Sequence, residues 1–228
     1  MKKWIRLLVC LLGIIVIVSF YKVYVTSNET KPNINDTVTE KDGNSGEIDP
    51  FKVVIDAGHG GVDPGSIGAS GSYEKDFTLS VSKKVASLLE QDSKIAVSMT
   101  READEFLSSE ARERPNFAND LGADVFVSIH ANTFTDPTVS GTETYYYHSN
   151  SKTFANKIHQ YLIEATGYND RGVKKENYFV LKDTTMPAVL LEIGYLTNPQ
   201  DEQQMLTDDF QLSVAKAIVK GIKAYLGI

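Results

Sequence analysis

The sequence predicts an α/β domain built around a largely parallel sheet. Two observations carry this reading. Short β-branched runs alternate with longer segments whose apolar residues recur at helical spacing. The run DVFVSIH, from Asp124 to His130, is apolar almost throughout, as expected of a strand covered on both faces. Along the chain, Phe51 to Asp56 (FKVVID) reads as a strand that runs into a glycine-rich turn. Phe77, Val81, Val85 and Leu88 mark a helix, with Asp76 as its candidate cap. Ile95, Val97 and Met99 alternate as a strand. Ser109 to Leu121 predicts a less regular helix in which Pro115 marks a kink or a late start. Thr142 to Tyr147 is a further strand, and Phe154, Ile158, Leu162 and Ala165 form a helix ended by Gly167. Tyr178 to Leu181 and Ala188 to Ile193 are read as strands. Phe210, Val214, Ala217, Ile218, Ile222 and Tyr225 are the stripe of a closing helix.

Composition narrows the function. Of 228 residues, 42% are hydrophobic, which excludes a wholly disordered chain, and 16 glycines with 7 prolines exclude collagen-like sequence. A single cysteine excludes a disulfide framework and a Cys₂His₂ or Cys₄ zinc site. A net charge of −7 argues against nucleic acid as the main partner, because phosphate binding needs a basic face.

The first fifty residues stand apart. Leu7 to Tyr21 is an uncharged apolar run preceded by Lys2, Lys3 and Arg6, which directs the N-terminus to the cytoplasm and the remainder outward. Residues 1–25 are expected to be a membrane anchor, a cleaved signal peptide being the alternative; no small-residue cleavage site follows the run. Cys10 lies within it as a passive apolar residue. Residues 26–50 carry only Ile34, Val38 and Ile48 as apolar members and read as a flexible linker. The first fifty residues hold six basic and six acidic side chains, so the whole −7 belongs to residues 51–228.

Open α/β sheets bind ligands beyond the carboxyl ends of their strands. Three features fall there: Ala57-Gly58-His59-Gly60-Gly61, His130-Ala131-Asn132, and Glu192. Two imidazoles and one carboxylate make a catalytic zinc set with a fourth position for water. No HExxH is present, so the ligands must come from distant segments. The carboxylate ligand is open among Glu74, Glu102 and Glu143, and Asp56 is a candidate partner for a histidine ring. Glu192 is then the spare carboxylate, a general base for water. His148 and His159 are assigned to surface or core packing, and Tyr145 to Tyr147 to alternating strand packing. A phosphate cradle is disfavoured: GxxxxGK[ST] is absent, and Gly58 to Asp63 fails GxGxxG at its last position.

Several blocks of sequence, VVIDAGHGGVDPGSIG, Glu74 at a helix start, Thr100-Arg101, Arg114 with Ala118-Asn119, ADVFVSIHAN and PAVLLEIGYLTNP, occur in an order that resembles zinc-dependent N-acetylmuramoyl-L-alanine amidases, over roughly residues 52 to 226. The resemblance implies a single α/β domain with a mixed, mainly parallel sheet flanked by helices and a zinc site at the strand ends. It implies His59, Glu74 and His130 as zinc ligands and Glu192 as the catalytic glutamate, and so selects Glu74 among the three carboxylates. The implied substrate is peptidoglycan, cut between N-acetylmuramic acid and L-alanine. Asn132, Arg171 and Asn198 are candidate substrate contacts. Tyr195 and Thr197 stand where Phe and Ser are commoner, and Pro115 is a departure that touches a helix start.

Some relatives carry a helix that covers the zinc after the SIHAN block. Here ten residues, 131–140, precede Gly141, too few for such a lid. The expectation is an open site restrained by the anchor, by a partner or by the form of the substrate, with a protein activator among the expected partners. Two other readings compete: a non-catalytic wall-binding scaffold, which the complete ligand set disfavours, and a zinc hydrolase acting on a different amide or peptide.

Overall fold

The computed structural model describes residues 49–228. The anchor expected over 1–25, with Cys10, and all but the last two residues of the expected linker lie outside the described residues. Among the described residues, no helix is long and apolar enough to cross a membrane.

Six strands form one sheet: β1 (Phe51–Ala57), β2 (Ile95–Met99), β3 (Val125–Asn132), β4 (Thr142–Tyr146), β5 (Asp170–Lys175) and β6 (Ala188–Tyr195). Their order is β2-β1-β3-β6-β4-β5. The first four in that order are parallel neighbours; β4 runs antiparallel to β6, and β5 pairs parallel with β4. The sheet is thus mixed and mainly parallel. The helices are α1 (Glu74–Leu89), α2 (Glu113–Leu121), α3 (Lys152–Thr166), α4 (Phe179–Lys182), α5 (Pro199–Met205) and α6 (Asp208–Leu226).

Strand alternation divides the core between the two faces. Val53, Ile55, Val125, Val127, Ile129, Val189 and Leu191 pack with Phe77, Val81, Ile158, Val214 and Ile218 from α1, α3 and α6. Val54, Phe126, Ala188 and Leu190 face the other way, toward Ala118 of α2 and Val180 and Leu181 of α4. Burial on both faces is why the central strands read as continuous apolar runs.

Three details differ from the sequence reading. Tyr178 to Leu181 is not a strand: Tyr178 precedes the short helix α4 and accepts the N–H groups of Leu181 and Lys182. Both edges of β6 are already taken by β3 and β4, so no edge there is open to it. Helix α1 begins at Glu74, with Tyr73 in the cap position, and Asp76 lies inside the first turn, where a negative charge suits the helix dipole. The strand β5 was not anticipated, because its sequence DRGVKK is polar and half-exposed at a sheet edge. Pro115 does mark a late start: α2 opens at Glu113, so the proline stands in the first turn, where its missing N–H would have no helical partner.

Candidate metal centre

The chain leaving β1 turns sharply. His59 sits in the left-handed region at φ 61°, followed by Gly60 at 133° and Gly61 at 59°. At Gly58 a Cβ would lie 2.4–2.7 Å from the His130 ring, so only glycine lets β1 and β3 present their histidines together. The two rings meet edge to face with centroids 4.9 Å apart.

Glu74 closes the group. It is the first residue of α1 and 3% exposed. Its Oε1 lies 3.2 Å from His59 Nε2 and 3.0 Å from His130 Nδ1, and accepts the Ala131 N–H at 3.0 Å. Its Oε2 accepts the Ser66 N–H at 2.8 Å, which fixes the carboxylate plane. Burial opposes ionisation of Glu74, but the two imidazoles outweigh it and hold the carboxyl far below its ordinary range. One ligand atom from each of His59, Glu74 and His130 lies within 4.8 Å of the others, so the cluster could hold a metal ion. Two imidazoles and a carboxylate suit zinc, and the other ring nitrogen of His59 has the second partner that ligating histidines require: Nδ1 lies 2.8 Å from Asp63 Oδ2.

Asp63, not Asp56, holds that place. Asp56 is fully buried on β1 and touches neither ring. It accepts from Thr100 Oγ1 at 2.6 Å, Ser128 Oγ at 2.6 Å and Arg114 Nη1 at 2.5 Å. Sequence reasoning passed over Asp63, whose only signal was its position four residues after His59.

Glu192 lies opposite His130 in the β3–β6 register. Its Oε2 has no hydrogen-bond partner among the described residues. Burial, then the negative charges of Glu74 and Glu143, push its carboxyl well above the ordinary range. His59, Glu74, His130, Asn132 and Glu192 line one cleft of about 630 Å³, whose other wall includes Phe106, Leu107, Tyr178 and Phe179. The segment joining β3 to β4 contains no helix.

The remaining candidates lie elsewhere. Glu102 is exposed on the loop after β2. Glu143 is buried under Tyr195 Oη at 2.6 Å, Arg171 Nε at 2.6 Å, Lys174 Nζ at 2.9 Å and the Tyr145 hydroxyl. Arg171 is therefore spent on Glu143 and lies over the Tyr195 ring rather than along the cleft. Asn198 caps α5, accepting the N–H groups of Gln200 at 2.8 Å and Asp201 at 3.1 Å. His159 is buried between Thr144 and Asp170, and His148 meets the Lys182 carbonyl.

A carboxylate shared by two imidazoles, beside a glutamate with an unpartnered oxygen at the strand ends of an open sheet, suits the class of metal-assisted α/β hydrolases. Residues 53–224 match the family described as N-acetylmuramoyl-L-alanine amidase, and the chain belongs to that family. It is 41% identical over 182 residues to the Bacillus subtilis protein YqiI, covering 78% of this chain and 86% of YqiI. It is 35% identical over 187 residues to the probable cell wall amidase LytH of Staphylococcus aureus, covering 80% of this chain but only 62% of LytH. Among solved structures it is similar to the catalytic domain of CwlV, an N-acetylmuramoyl-L-alanine amidase from Bacillus (Paenibacillus) polymyxa var. colistinus. That match has a TM-score of 0.76 and 49% identity, covering 78% of this chain and 99% of CwlV's domain.

Proposed function

We propose that this chain is a zinc-dependent peptidoglycan hydrolase that cleaves the amide between the lactyl group of N-acetylmuramic acid and the L-alanine of the stem peptide. The observation that carries the reading is the meeting of His59, Glu74 and His130 in one cleft with Glu192, whose Oε2 is free to take a proton.

His59, Glu74 and His130 would hold the ion. Bound zinc supplies Lewis-acid polarisation of a carbonyl and lowers the pKa of water from 15.7 toward about 7. Glu192 takes the proton of the attacking water and returns it to the departing alanine nitrogen. Its raised proton affinity suits both halves of that transfer. Asn132, held toward Thr133 by its own side chain, is the one proposed substrate contact that lines the cleft.

The basic and apolar residues ahead of the domain support an extracytoplasmic location with a single-pass anchor and the N-terminus in the cytoplasm, or secretion after cleavage. With no helix between β3 and β4 to cover the cleft, restraint falls to the tether, a protein partner or the form of the substrate.

The test is digestion of purified peptidoglycan by the full-length protein, with products identified by mass spectrometry. Stem peptides with a free L-alanine amino terminus are expected. Peptide fragments that keep the muramyl-alanine bond would overturn the reading in favour of a different amide, and absence of any product in favour of a binding scaffold.

A further inference from the structure

Among the described residues, only His59 and Arg112 combine a side chain with a left-handed backbone, at φ 61° and 56°. Such conformations persist only where the surroundings impose them. At His59 the imposing groups are visible. The carbonyls of three consecutive residues, Ala57, Gly58 and His59, all meet buried guanidinium groups. Arg114 Nη1 donates to Ala57 O at 2.7 Å and Arg114 Nη2 to His59 O at 2.6 Å. Arg101 Nε donates to Ala57 O at 2.9 Å and its Nη2 to Gly58 O at 2.9 Å. Arg114 is in turn anchored on Asp56, which Ser128 ties to β3 two residues before His130.

The ring is held from the opposite end. Asp63 Oδ2 meets Nδ1, and Asp63 Oδ1 accepts the Gly65 N–H at 3.1 Å, so the carboxylate is itself fixed. An imidazole pinned at its backbone and at its far nitrogen has little orientational freedom left to lose when a ligand arrives.

We infer that Asp63 and Arg114 are positioning residues that set His59 in its ligating pose before an ion arrives, Asp63 through the ring and Arg114 through the His59 carbonyl. The inference rests on the zinc reading above, and its test separates the two.

Full-length protein is prepared as wild type, Asp63→Asn and Arg114→Lys. Zinc affinity is measured by competition with a chromogenic chelator, the visible spectrum is recorded after cobalt loading, and circular dichroism reports the fold. Asp63→Asn, at a surface position, is expected to keep the fold, lose about 10–100-fold in zinc affinity and alter the cobalt bands. Arg114→Lys keeps the charge but not the fork, and is expected to lose about tenfold. If Arg114→Lys does not fold, the pair Asp56→Asn with Arg114→Gln removes the buried charges together and takes its place. Folded variants that bind zinc within about twofold of wild type, with unchanged cobalt bands, overturn the inference. A wild-type protein that binds neither metal sinks the zinc reading itself.

Discussion

Glu143 and Glu192 occupy the same register step of the antiparallel β4–β6 pair, so two carboxylates stand side by side on one sheet. Their fates are opposite. Burial works against the Glu143 charge, but the hydroxyls of Tyr145 and Tyr195 and the cations of Lys174 and Arg171 outweigh it and hold the carboxyl at about 2. Glu192 is buried with an unpartnered oxygen and two negative neighbours, and its carboxyl is driven upward. Adjacent carboxylates resist ionising together. A fully satisfied Glu143 therefore keeps its charge, and the raised proton affinity falls on Glu192.

Replacing Glu192 with Gln keeps the shape and removes the base. Turnover of muropeptides is expected to fall by about 10²–10⁴-fold, with zinc content per chain unchanged. Near-normal turnover in a zinc-replete variant would remove Glu192 from the reaction.

The Glu143 carboxyl is depressed from 4.5 to about 2 on folding. Its ionised form therefore stabilises the fold above about pH 4.5, and that contribution is lost as the pH falls from about 4.5 toward 2. Denaturant unfolding across this range should show a steeper loss for wild type than for Glu143→Gln. Equal slopes would mean that the four donors hold no extra charge.

Gly58→Ala places a methyl group 2.4 Å from His130 Cε1 and 2.6 Å from Nε2. The ring must move, and zinc affinity is expected to drop about tenfold or more, on the scale of other changes that disturb ligand orientation. Chelator competition measures it; an unchanged affinity would show that the His130 ring can shift without leaving the site.

Asn198→Ala removes the side-chain cap of α5. A loss of about 1 kcal/mol in stability is expected, read by thermal or denaturant unfolding, with KM unchanged because Asn198 faces its own helix. A rise in KM at unchanged stability would instead make Asn198 a substrate contact.

The legible parts of the sequence were those carried by local periodicity. DVFVSIH announced a doubly covered strand because Val125 and Val127 face one core and Phe126 the other. Glycines 58, 60 and 61 announced the turn at His59 because a Cβ at Gly58 would meet the His130 ring, at Gly60 the Glu105 carbonyl and at Gly61 Phe106. The illegible parts were those in which a residue's role depends on what lies beside it. DRGVKK carries no apolar signal and becomes β5 only because β4 offers it an edge. Tyr178 to Leu181 carries a strand-like signal, and both edges of β6 are occupied.

By itself, then, the sequence determined an α/β sheet, the placing of His59, His130 and Glu192 at strand ends, and, through ordered motifs, the family. The family resemblance pointed to Glu74 among three carboxylates; only the tertiary structure brought it against both histidine rings and showed Glu143 sealed under four donors. It also decided that Asp63 rather than Asp56 steadies a ring, and that Arg171 and Asn198 serve the framework. The reason is physical: backbone period and glycine geometry are written within a few residues, whereas a buried carboxylate finds partners far along the chain, His130 lying 56 residues from Glu74 and Tyr195 52 from Glu143, and these are chosen by register and packing.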